Sequence, residues 1–122
     1  MATGQNFEEH ARLLIHPDTS METRLQMVRD IRKDLEVTYT AEYFRFLQCY
    51  TKSLFIILFG ITKPQFYSNA ENKIRYIVID ILYRLPHIEV LRPFVNDILR
   101  SAIRVLINDN EEIALQCVLE VS

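Results

Sequence analysis

The chain has 122 residues, 49% of them apolar and 25% charged, with two glycines, four prolines and a formal charge of −2. That length allows one domain with a real core, and so little glycine and proline argues against a turn-rich all-β fold and against disorder. The near-neutral balance gives no electrostatic reason to bind nucleic acid or an acidic membrane surface.

Asn6 with Glu9 starts a short helical pattern that runs to about Ile15 and is stopped by Pro17. Thr19 and Glu22 then have capping-box spacing, in which each side chain satisfies an orphan backbone N–H. Behind them Met21, Leu25, Val28 and Leu35 fall on one helical face with Ile31 at its edge, and Arg29, Asp30, Lys33 and Asp34 fall opposite. A third helix is expected from near Thr40, with Glu42 favourable in its first turn and a stripe of Tyr43, Phe46, Leu47, Tyr50, Leu54 and Ile57. Leu54 to Phe59 is apolar on every side, which predicts that it is enclosed, and Gly60 suits the helix end.

Thr62 to Tyr67, containing Pro64, reads as a loop, and Ser68 with Glu71 repeats the capping-box spacing. The helix that follows has two apolar faces. Ile74, Ile77, Val78, Ile81, Leu82 and Leu85 form one stripe; Tyr76, Ile79 and Tyr83 form another on the opposite side. Lys73, Arg75, Asp80 and Arg84 are left for narrow flanks. Such a helix needs neighbours on both sides, as an inner helix of a stacked array has. Leu85 to Pro93 forms a corner in which one helix ends before Pro86 and the next begins at Pro93. The next stripe is Val95, Ile98, Leu99, Ala102, Ile103 and Leu106, with Asn96, Asp97, Arg100 and Arg104 opposite. Asp109 or Asn110 caps a last helix, with Glu111 and Glu112 at its positive end. Ile113, Ala114, Leu115, Val118, Leu119 and Val121 leave that helix apolar almost all round, and it reaches Ser122 without a stop signal, as a helix cut short would.

Short connections between these helices favour antiparallel neighbours, so the expected fold is all-α, in antiparallel helical pairs of an α-solenoid. A closed bundle of four or five helices is the alternative. The apolar positions that such an array leaves for a neighbour give a candidate packing and interaction face: Tyr76, Ile79, Tyr83, Ile113, Leu115 and Leu119.

Catalytic chemistry finds no foothold in the residue pattern. His10, His16 and His87 have no carboxylate or thiol at metal-ligand spacing and read as surface or capping residues. Gly4 and Gly60 cannot build a phosphate-cradling loop, and no nucleophile–base motif is present. Glu111-Glu112 is better explained by the helix start than by acid–base work. Arg24, Arg29, Arg32 and Lys33 alternate with Asp30, Asp34 and Glu36, which favours a solvated ion-pair face over a phosphate site. Tyr76 and Tyr83 could stack a ligand, though packing is commoner at that spacing. Cys49 and Cys117 belong to no CxxC spacing and read as two buried, reduced thiols. Met1 to His10 lacks the apolar core of a signal peptide, and the longest apolar run, Leu54 to Ile61, falls short of the ~20 residues of a membrane span.

The segments Thr23 to Val28, Thr40 to Tyr43, Ile61 to Phe66, RLPHIEVLRPFVNDIL (84–99) and NDNEE (108–112) together resemble the extreme N-terminus of the TRRAP family. The resemblance runs from about Gln5 to Cys117, and Gln5 to His10 is closest to plant-like members. It implies that residues 1–122 are a single N-terminal HEAT-like segment, a fragment of a much larger solenoid related to the phosphatidylinositol-3-kinase-like kinases. Family members carry HEAT-type repeats, a FAT region and a kinase-like domain without catalytic residues; neither of the latter two parts lies in this sequence. They serve as nuclear scaffolds of histone acetyltransferase co-activator complexes and receive transcription activators. The resemblance thus implies a non-enzymatic role with protein partners: the rest of the scaffold, acetyltransferase subunits and activators. It implies no catalytic, metal or cofactor residues. A free-standing α-helical adaptor that binds a peptide or partner helix is the alternative.

Overall fold

A computed structural model describes residues 6–35 and 42–121. Among these the regular elements are all helical: α1 (Phe7–Leu14), α2 (Met21–Asp34), α3 (Tyr43–Phe59), α4 (Asn69–Tyr83), α5 (Val95–Asn108) and α6 (Glu111–Val121). Two 3₁₀ turns, Pro64–Phe66 and Glu89–Phe94, lie in the connections before α4 and α5.

The helices stack in two layers. In one layer α1 packs on α3, which packs on the turn leading into α5; in the other α2 packs on α4 and α4 on α6. Cross-layer contacts join α3 to α4 and α5 to α6. Helix α4 is thus enclosed from two sides, the arrangement that its two opposed stripes require. Ile74, Ile77, Val78, Ile79, Ile81, Leu82 and Tyr83 are buried along it.

Local chemistry fixes the helix ends, not always at the expected residue. The cap of α2 is Ser20, whose hydroxyl accepts from the Thr23 N–H at 3.1 Å. Thr19 instead donates its hydroxyl to the Leu13 carbonyl at 2.6 Å and closes the turn after α1, so the Thr19–Glu22 box does not form. The Ser68–Glu71 box does form, with both reciprocal bonds present. Helix α3 starts at Tyr43, with Glu42 at its cap; Thr40 lies outside the described residues. Gly60 ends α3 with φ of −65°, an ordinary right-handed value. Its reason is space, because a Cβ there would sit 2.8 Å from the Ile56 carbonyl oxygen. The corner after α4 also differs: Pro93 lies inside the second 3₁₀ turn, and the α-helix starts two residues later at Val95.

Burial shifts several expected stripes. On α2 the buried line is Met27, Val28, Ile31 and Leu35, so Ile31 is central, and Met21 and Leu25 are only partly covered. Ile56 is exposed, so the end of α3 is not enclosed on every side. On α5, Ile98, Ala102 and Val105 are buried, whereas Leu99, Ile103 and Leu106 are exposed. The sequence stripe was wider than the contact that α4 and α6 supply.

Candidate interaction face

Six residues were expected to form one packing and interaction face, and the fold distributes them. Ile79, Tyr83 and Ile113 are buried, whereas Tyr76, Leu115 and Leu119 are exposed at 40%, 58% and 65%. Tyr76 is therefore a correction to the expectation of burial on both stripes. It lies seven residues from Tyr83, but Tyr83 turns inward and Tyr76 outward, so the two do not form a stacking pair. The Tyr83 hydroxyl meets Ser101 Oγ of α5 at 2.7 Å, and Ser101 in turn donates to the Ile98 carbonyl. Burial pushes the Tyr83 hydroxyl well above the usual tyrosine range, which keeps it a protonated donor.

The largest share of the exposed apolar side chains lies on α5 and α6. Leu99, Ile103, Leu106 and Ile107 on α5, and Leu115, Val118, Leu119 and Val121 on α6, are 39–72% exposed. Leu99 and Val121 line a common groove of about 690 Å³, floored by Leu82, Leu85, Leu91 and Val95 and rimmed by Glu120 and His87. On α5, Leu99, Ile103 and Leu106 follow i, i+4, i+7 spacing, and on α6 Val118 and Val121 are three apart, so each helix offers a stripe rather than scattered side chains. The α1 and α2 surface is different. The exposed residues of α2 are Glu22, Thr23, Gln26, Arg29, Arg32 and Lys33, and Leu13 is the one large apolar side chain exposed on α1.

A polar junction, hidden from sequence reasoning, anchors the apolar end to the rest of the molecule. Arg75, expected on a narrow wet flank, is 1% exposed. Its Nε and Nη2 donate to the Leu58 carbonyl at 3.2 and 2.9 Å, and Nη1 donates to Asn72 Oδ1 and Asp109 Oδ1 at 3.0 Å each. Nη2 also pairs with Asp109 Oδ2, and the guanidinium stacks 4.0 Å above the Tyr67 ring. Asn110 reaches back to the Pro64 carbonyl at 3.0 Å. Asp109, expected as a helix cap, thus mainly serves as the counter-ion of Arg75, while the Asn110 carbonyl accepts the first bond of α6, from Ala114. The sequence signal for this pairing is weak: a cation between the two apolar stripes of α4.

Other polar candidates are also structural. His10 is not a free surface residue: Tyr50 Oη lies 2.6 Å from its Nδ1, and burial lowers its pKa, offset partly by Asp30. His16 Nδ1 accepts from the Asp18 N–H, a turn-capping role, and His87 is exposed. Arg24 leaves the expected ion-pair face to donate to the Leu14 and His16 carbonyls at the end of α1. Arg32 pairs with Asp80 of α4 at 3.3 Å, and Glu36 lies outside the described residues. Arg84 bridges Asp80 and Glu120 at 3.1 and 3.5 Å. Burial, then the neighbouring Asp80, holds the Glu120 carboxyl above the usual range against the pull of Arg84. Cys117 is buried and its thiol is pushed up to about 11 by burial, whereas Cys49 is only half-buried; both are free thiols. Among the described residues no cluster of metal-ligating side chains forms, and no helix is long and apolar enough to cross a membrane.

Three curated relatives match the chain. It is 37% identical over 117 residues to a probable transcription-associated protein 1 of Dictyostelium discoideum. It is 30% identical over 102 residues to the transformation/transcription domain-associated protein of Homo sapiens, and 27% identical over 113 residues to transcription-associated protein 1 of Drosophila melanogaster. The matches take in 92%, 82% and 91% of this chain but only 2–3% of the length of those proteins. None of the three is a plant protein, so they lend no support to the plant-like character of Gln5 to His10. No family model and no solved structure matches the chain.

Proposed function

The chain belongs to the family of the transcription-associated proteins, and on that footing we propose that it is a non-catalytic scaffold segment of a transcription co-activator. In this reading residues 1–122 form the N-terminal HEAT-like part of a far larger helical stack within histone acetyltransferase complexes of the nucleus. The rest of the scaffold, acetyltransferase subunits and activators are its partners. The observation that carries the reading is the contrast between the two ends of the stack. Helices α1 and α2 offer solvent an almost wholly polar surface, as a capping repeat does, whereas α5 and α6 offer eight exposed large aliphatics. A further helical hairpin on α5–α6 would bury those side chains, each worth ~1.5–3 kcal/mol when fully covered. The buried polar side chains fit a structural role too, since among the described residues each buried side-chain nitrogen or oxygen has a hydrogen-bond partner within the fold.

The test is co-purification. The tagged chain, drawn from nuclear extract, should bring histone acetyltransferase activity with it, and Leu99→Lys with Val118→Lys should abolish that. Recovery from the nuclear fraction without any acetyltransferase activity would overturn the reading.

The groove beside Leu99 and Val121 favours one second reading. At about 690 Å³, with an apolar floor, it has room for one face of a partner helix or peptide, as a free-standing adaptor needs. A peptide that binds there and is displaced by Leu85→Lys would favour that alternative.

A further inference from the structure

The same apolar end decides how the chain behaves on its own. Its eight exposed aliphatics present on the order of 500 Å² of apolar surface at one end of the molecule, near the upper limit for a patch on a soluble monomer. A stable dimer buries ~800 Å² per partner, of which a little over half is apolar, so this end carries about the apolar area that one side of a dimer requires. The other end cannot serve as its complement. Covering Leu99, Ile103 and Val118 with the charged outer face of α2 would desolvate Arg29, Arg32 and Lys33 against aliphatic side chains. A head-to-tail chain of copies is thereby disfavoured, and the arrangement that covers both apolar ends at once is a closed two-fold pair.

We infer that two copies of this chain pair through α5–α6 against α5–α6 when no other helical hairpin covers that face. The inference rests on reading this end as a protein-contact surface and names its occupant in the chain alone. Leu99 and Val121, which flank the shared groove, sit where the two copies' side chains interdigitate.

Sedimentation velocity of the purified chain over a concentration series tests this. A monomer–dimer equilibrium with a micromolar Kd that stops at the dimer is expected. Leu99→Lys with Val118→Lys should weaken it at least about tenfold, with unchanged helicity by circular dichroism, and Arg29→Glu on α2 should leave it unaltered. Amide exchange supplies a second readout that needs no variant: protection should rise with concentration along α5 and α6 and stay constant along α1 and α2. A chain that stays monomeric throughout, a mass that keeps growing past the dimer, or protection that rises on α2 instead would each overturn the inference. Its failure leaves the co-purification result untouched, because that experiment reads the face in its cellular complex rather than in the isolated chain.

Discussion

Helices α4 and α6 are both apolar on nearly every side, yet they end in opposite environments. Beyond its first turn α4 leaves only Lys73 and Tyr76 exposed, while α6 leaves Leu115, Val118, Leu119 and Val121 in water. Composition does not separate them. Position does: α4 packs on both α2 and α6 and also meets α3, whereas α6 packs chiefly on α4 and α5. An all-round apolar helix is thus a statement about how many neighbours it can take, and the stack decides how many it has.

The largest effect that could break this comparison lies at the joint between the two helices. Arg75 of α4 is buried against Asp109, immediately ahead of α6. Asp109→Ala leaves a buried guanidinium without its counter-ion and should cost about 3–5 kcal/mol in urea unfolding. A cost below about 1 kcal/mol would mean that α6 is not held through this pair. Next in size is the contrast in the apolar positions. Ile81→Ala on α4 should cost about 2–5 kcal/mol, the range for emptying a core site, whereas Leu119→Ala on α6 should stay within about 0.5 kcal/mol. Equal costs would erase the distinction between an inner and an outer helix.

Native-state amide exchange sharpens the comparison without mutation. Under dilute conditions the amides of α6 near Leu119 should exchange through local opening well before those of α4 near Ile81, which should report global unfolding. Similar protection in both would show α6 to be as firmly enclosed as α4.

The smallest effect concerns Glu120, where α6 meets Asp80 of α4. Its carboxyl is held above the usual range, so the folded chain binds that proton more tightly than the unfolded chain does. Its contribution is therefore fully present below the unfolded value and is lost as pH rises through the folded one. Glu120→Gln, which keeps a neutral side chain at all pH, should raise the melting temperature at neutral pH by less than about 4 °C. It should make no difference in acid. A uniform shift at every pH would assign the effect to packing instead.

Much of this architecture can be read from residue order. The helix count, the Ser68–Glu71 box, the two-faced character of α4 and the all-α class follow from local periodicity and capping, which depend on neighbours three or four residues away. The family resemblance was likewise legible, because it lies in the order of short segments along the chain. Local rules failed where two sites distant in sequence compete for the same group. Thr19 yields the cap to Ser20 because its hydroxyl is taken by Leu13. Tyr76 stays wet because it falls on the same face of α4 as the exposed Asn69 and Lys73. Arg75 becomes the most buried charge among the described residues because Leu58 and Asp109, distant in sequence, converge on it beside Asn72 of its own helix. Periodicity marks which residues can leave water. Only the tertiary stack determines which of them find a partner, because that depends on surfaces that distant segments bring together.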